Sequence, residues 1–69
     1  MDEKRISWGA ARKNANLTQE QAAHSLGIST QTLSSYESYK TYPEAPMVVD
    51  MCHLYNRGPE LIFLTKPAN

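Results

Sequence analysis

The sequence predicts an all-α fold, and three observations carry that expectation. Helix start and stop signals recur about every ten to fifteen residues. No stretch alternates apolar and polar residues over a strand's length. The apolar residues instead fall at helical spacings, as in Trp8, Ala11 and Ala15, or Met47, Val48, Met51, Leu54 and Tyr55.

Taken in order, the first helix runs from Asp2 or Ser7 to Asn14. Gly9 inside it either weakens the helix or lets another element approach closely. The second helix is marked by a capping box, Thr18-x-x-Gln21: the hydroxyl accepts the Gln21 amide and the Gln21 side chain reaches back. Leu17, before the cap, can staple onto Ala22. Gly27 tolerates the left-handed conformation that closes a helix. Ser29 then caps a third helix, with Ile28 and Leu33 as its staple. Two short helices joined by a tight, glycine-containing turn have helix-turn-helix geometry, and the small Ala22 and Ala23 let them cross closely.

At about 100° per residue, Ser29, Leu33, Tyr36, Glu37 and Lys40 share one face of the third helix. Gln31, Ser34, Ser35 and Ser38 lie on the other, with Thr30 and Thr32 flanking. Glu37 on the core side requires a partner, because an unpaired buried carboxylate costs several kcal/mol. A loop rich in tyrosine and proline follows, from Ser38 to Pro46, and a fourth helix runs to Tyr55. Gly58-Pro59 stops and restarts the chain, with Pro59 suited to the first position of a short fifth helix. Leu61, Ile62, Phe63 and Leu64 are apolar enough to close the core. Residues 1–69 form one domain, with 1–5 and 65–69 expected to fray.

Composition narrows the function. Sixty-nine residues bury a modest core without a visible staple. Cys52 is the only cysteine, so no internal disulfide forms. His24 and His53 lie far apart with no second cysteine, so no metal site is expected. Neighbours on a helix point about 100° apart, which keeps Cys52 and His53 from acting as nucleophile and base. No enzymatic activity, cofactor or small-molecule substrate is expected. No apolar run approaches membrane-spanning length and no signal-peptide core opens the chain. A free thiol with no export signal points to the cytoplasm. Seven Lys and Arg balance seven Asp and Glu, which argues mildly against nucleic acid, whose binders are usually basic. Within the first forty residues Lys4, Arg5, Arg12, Lys13 and Lys40 face Asp2, Glu3, Glu20 and Glu37.

The stretch ARKNANLTQEQAAHSLGISTQTLSSYE resembles the Cro/CI-like repressor family, also called the xenobiotic-response-element family. The resemblance runs from about Trp8 to Phe63. Its most specific residues are Arg12, Leu17-Thr18-Gln19, Ala23, Leu26-Gly27-Ile28-Ser29, Leu33 and Glu37. It implies a compact five-helix, lambda-repressor-like domain with the helix-turn-helix at the second and third helices. It places Thr30, Gln31 and Ser35 toward base edges, and Gln19, Ser29, Thr32, Ser38 and Lys40 near DNA phosphates. Arg12 and Glu37 match an ion pair tying the first helix to the third, and Cys52 matches a small core position.

Three departures stand out. Ser38-Tyr39 replaces the Asn-Gly that usually follows the glutamate, Arg57 replaces a buried aliphatic after the fourth helix, and Ala22 replaces a common leucine. Tyr39 and Tyr42 either pack over the loop or bring a hydroxyl near phosphate. The function implied is a sequence-specific, Cro-like transcriptional regulator or repressor. It would bind double-stranded DNA as a homodimer, in a stand-alone, phage-like arrangement without a membrane anchor. The alternative is an antitoxin-like module that binds another protein and touches DNA weakly or not at all, which the neutral charge favours.

Overall fold

The structure, a computed structural model, describes residues 4–67. Among them are four α-helices: α1 (Trp8–Asn14), α2 (Gln19–Leu26), α3 (Thr30–Glu37) and α4 (Ala45–Tyr55). Hydroxyl caps start the first three. Ser7 Oγ accepts the Ala10 amide, Thr18 Oγ1 the Gln21 amide and Ser29 Oγ the Thr32 amide, each at 3.1 Å. The alternative start of α1 at Asp2 lies outside the described residues, as do residues 1–3 and 68–69 of the expected fraying ends. α4 opens without a side-chain cap bond and carries Pro46 in its first turn, where the missing proline N–H is no loss.

All four helices end in the same way. The residues just past their ends, Asn16, Gly27, Tyr39 and Asn56, have φ of 61°, 72°, 60° and 53°. In each case the next amide reaches back to a carbonyl five residues earlier: Leu17 to Arg12, Ile28 to Ala23, Lys40 to Ser35 and Arg57 to Cys52, at 2.9–3.2 Å. That is the Schellman closure, which satisfies carbonyls left over at a helix end. Glycine and asparagine enter this backbone region readily, whereas for tyrosine the conformation costs on the order of 1–2 kcal/mol.

Contacts of Tyr39 offset that cost. Its hydroxyl donates to the Phe63 carbonyl at 2.7 Å, and its ring packs on the core and lies 6.4 Å from that of Tyr42. Burial raises its pKa, the backbone hydrogen bond with Trp8 lowers it, and Tyr42 raises it further. The hydroxyl therefore joins the end of α3 to the C-terminal segment. Tyr39→Phe is expected to destabilise the fold by about 1 kcal/mol, the usual worth of such a bond. Urea denaturation would show this as a lower midpoint at constant slope. An unchanged midpoint would mean that packing alone holds the loop.

The core lies where the helices converge. Trp8, Leu33, Met51 and Ile62 are its largest fully buried side chains, with Ala11, Ala22, Ala23, Cys52 and Tyr55 beside them. Ala22 and Ala23, whose side chains are single methyl groups, are fully buried where α2 meets the core.

The expected fifth helix is not there. Residues Pro59–Leu61 form a single 3-10 turn, and Ile62 is extended, with φ −123° and ψ 138°. The cause is a non-local pairing. Ile6 donates to the Leu61 carbonyl at 3.0 Å and accepts from the Phe63 amide at 2.9 Å, an isolated parallel bridge between Ile6 and Ile62. Backbone groups that a helix would use internally are taken by the segment before α1. Arg57 fastens the same junction, its guanidinium donating to the Leu61 carbonyl at 3.1 Å and the Lys4 carbonyl at 2.7 Å. A polar residue stands in an aliphatic position because two chain ends need a donor there. Arg5 lies over the Phe63 ring, 4.7 Å from its centre.

Candidate nucleic-acid interface

Two capped helix starts frame the surface: that of α2, at Gln19, and that of α3, at Thr30. At α2 the capping box is complete. Thr18 donates its amide to Gln21 Oε1 at 2.9 Å and accepts the Gln21 amide on its hydroxyl. The remaining amides of the first turn, on Gln19 and Glu20, have no intrahelical acceptor. The half-buried Gln19 side chain turns toward α3, where its Nε2 donates to Glu37 Oε1 at 2.9 Å.

Glu37 is held from the other side by α1. Arg12 Nε donates to Glu37 Oε2 at 2.7 Å and Arg12 Nη2 to Oε1 at 3.3 Å. Its third donor, Nη1, reaches the Leu17 carbonyl at 2.9 Å, just before the cap of α2. The side chains are 10% and 11% exposed, dry enough that neither charge is well hydrated alone. Gly9 brings the α1 backbone close: a Cβ there would lie 3.4 Å from Glu37 Oε1. The Tyr55 hydroxyl lies nearby; its pKa is pushed up to about 12, first by burial and then by Glu37, with Arg12 opposing. Buried Trp8 Nε1 and Tyr55 Oη find no hydrogen-bond acceptor or donor among the described residues.

On α3, Thr30 and Gln31 are exposed in the first turn, and Ser35 is half-buried one turn later. Positions 31 and 35 share a face at helical spacing. Ser29 and Thr32 are tied to one another, their hydroxyls 2.9 Å apart while Ser29 also caps the helix. Ser38, exposed at the far end, donates its hydroxyl to the Ser35 carbonyl at 3.3 Å. Lys40 follows, also exposed. Thr32 and Ser35 line an open cleft that also carries Thr41, Tyr42, Glu44 and Asp50. Tyr42 is 52% exposed, so of the two loop tyrosines only Tyr39 is folded inward.

The charges are sparse. Lys13 and Lys40 are exposed cations and Arg12 is paired; Glu20, in the first turn of α2, and Glu44 and Asp50, in the cleft beside α3, are exposed carboxylates. Hydroxyls and carboxamides therefore make up most of this surface. Away from it, Cys52 is buried and His53 exposed on successive positions of α4, and burial, then Glu60, raises the thiol pKa. His24 is exposed on α2.

The profile of the helix-turn-helix family matches residues 9–62 of this chain, from α1 through the 3-10 turn. The chain belongs to the Cro/CI-type helix-turn-helix family. No curated protein and no solved structure matches it. This helix-turn-helix protein is thus placed among DNA-binding regulators, a family of regulators and not of enzymes. Its α2 and α3 are the two helices of the motif, and Gly27 sits in the turn between them. No helix among its described residues is long and apolar enough to cross a membrane.

Several features of this helix-turn-helix surface escape sequence reasoning. Asn16 and Asn56 close α1 and α4, and asparagine's tolerance of positive φ is a signal that was there to use. The bond from Gln19 to Glu37 spans 18 positions and leaves no local trace. The cleft carboxylates, Glu44 and Asp50, come beside α3 only through the path of the loop.

Proposed function

We propose that this protein is a sequence-specific double-stranded DNA-binding regulator of Cro-like type. It acts as a regulator or repressor by occupying an operator, where it would exclude polymerase. The observation that carries the reading is the pair of exposed polar residues, Thr30 and Gln31, in the capped first turn of the second helix of a helix-turn-helix. In such motifs the leading residues of that helix enter the major groove. Thr30, Gln31 and Ser35 would face base edges. Gln19, Ser29, Thr32, Ser38 and Lys40 would meet phosphates, which fix register without carrying sequence information. One eight-residue helix reads few base pairs, so a homodimer on a two-fold operator is the assembly that fits. A regulator of this kind works in the cytoplasm.

An electrophoretic shift against random genomic fragments at low salt tests the reading. A retarded complex that competitor DNA displaces only partly supports it. The second reading, a module that binds another protein, is favoured by the net charge of zero and by the carboxylates beside α3. It predicts a weak shift or none, even at low salt.

The same charges set the salt dependence. Each neutralised phosphate adds about 0.9 to the slope of log affinity against log salt. With mostly neutral contacts, the slope is expected to be shallow, near −2 to −4 by that rule of about 0.9 per phosphate. Titrations between low and physiological salt measure it. A slope near −10, the scale of a highly basic repressor, would show that cations placed elsewhere dominate.

A further inference from the structure

We propose that Glu37 is a positioning residue for DNA binding: by accepting one N–H of Gln19 Nε2, it fixes the orientation of that carboxamide and leaves the second N–H of the same nitrogen for a phosphate. This deepens the function proposed above and rests on Gln19 meeting a phosphate.

A free glutamine presents its carbonyl oxygen or its amino group equally well, and only the amino group serves a phosphate. An ionised carboxylate accepts hydrogen bonds and donates none. At 2.9 Å from Glu37 Oε1, the group facing Glu37 must therefore be Nε2, whichever way a lone amide would turn. One N–H is used, the second remains, and the flipped orientation is excluded because it would set oxygen against oxygen.

The acceptor is itself immobilised. Arg12 grips both carboxylate oxygens, at 2.7 and 3.3 Å, and the α1 backbone at Gly9 closes the remaining side. Arg12 also offsets the carboxylate's charge, so that Glu37 itself does not repel a phosphate approaching Gln19. The pair thus does more than join α1 to α3. It pre-orders a side chain that would otherwise lose rotamer freedom on binding.

The test combines DNA affinity with amide spectroscopy on the full chain. Affinities of wild type, Gln19→Ala, Glu37→Gln and the double variant are compared on one operator and one unrelated duplex, at a temperature where circular dichroism shows each folded. Gln19→Ala is expected to lose about tenfold on both duplexes, as a hydrogen bond to a charged group would. Glu37→Gln should lose several-fold on both, and the double variant no more than Gln19→Ala alone. A merely structural Glu37 would lower melting temperature while leaving the affinity of the folded protein unchanged, and that result overturns the proposal. Losses that multiply in the double variant overturn it as well.

Should Glu37→Gln fail to fold, the wild-type protein still decides. Its ¹⁵N–¹H spectrum should show the two Gln19 side-chain protons well separated, with one shifted from free-glutamine values. Free-glutamine positions for both would mean that Glu37 does not hold the amide. If wild type binds no duplex at all, the DNA-binding reading fails and the role of Glu37 with it, a result distinct from binding with multiplicative losses.

Discussion

Replacing Arg12 by methionine is expected to cost on the order of 3–5 kcal/mol of stability, the range for breaking a buried ion pair by removing one partner. The methionine approximates the volume of the aliphatic stem, so the effect is chiefly electrostatic. Glu37 would keep Gln19 as a donor but lose the two guanidinium contacts at 2.7 and 3.3 Å. Its carboxylate, 11% exposed, has little water to replace them. The Leu17 carbonyl would lose its donor too, loosening the entry to α2. For a domain of this size each kcal/mol shifts melting by roughly 4–8 °C, so melting should fall by tens of degrees. Replacing both partners, as Arg12→Met with Glu37→Leu, should recover much of the loss, because paired buried charges gain little over apolar packing. Thermal melts of the two single variants and the double variant measure the coupling. A loss below about 1 kcal/mol for Arg12→Met would mean that water reaches Glu37 freely, as at an exposed pair.

The second large effect is expected at Gln31. Its carboxamide offers a donor and an acceptor, the pairing that holds adenine through N6 and N7. Thr30 and Ser35 have single hydroxyls, which discriminate less, although the Thr30 methyl can meet a thymine methyl. α3 has no Arg or Lys, so bidentate reading of guanine is unavailable from it. The contacted core of the operator should therefore contain A·T pairs. Gln31→Ala should relax preference at one position per half-site, costing about 1–3 kcal/mol there. Gln19→Ala should weaken all sequences alike, since a phosphate contact carries no base information. Titrations of both variants against an operator and its single-base variants separate the two. If Gln31→Ala leaves the preference profile intact while Gln19→Ala changes it, the base-reading position lies elsewhere.

What the sequence made legible is what short-range chemistry governs. Thr18 with Gln21, Ser29 and Gly27 mark helix ends because their side chains, or the lack of one, act within a single turn. The core stripes of α1 and α4 follow from helical periodicity, as Trp8, Ala11, Met51 and Tyr55 show by their burial. The end of the chain was misread for the opposite reason. Pro59 can begin a helix, and Leu61 to Leu64 are apolar, so local signals favour one. The backbone of residues 61–63 instead pairs with Ile6, more than fifty positions away, a competitor with no local signature.

Tyr39 is the same lesson at the interface. In the place of a glycine it suggests a rerouted loop, yet it adopts the glycine's backbone conformation. The compensating bond goes to Phe63, 24 positions on. In the candidate site, the family resemblance implied a phosphate contact for Gln19 and an ion pair for Arg12 and Glu37. That all three side chains meet in one network is a property of how α1, α2 and α3 cross.

Selection of bound duplexes from a random library, run in parallel with wild type and Gln31→Ala, tests the central claim most directly. Wild type is expected to enrich a two-fold symmetric site whose half-sites contain A·T pairs, and Gln31→Ala to enrich the same site with one position per half-site degenerate. A wild-type pool no more ordered than the starting library would contradict sequence-specific binding by this domain.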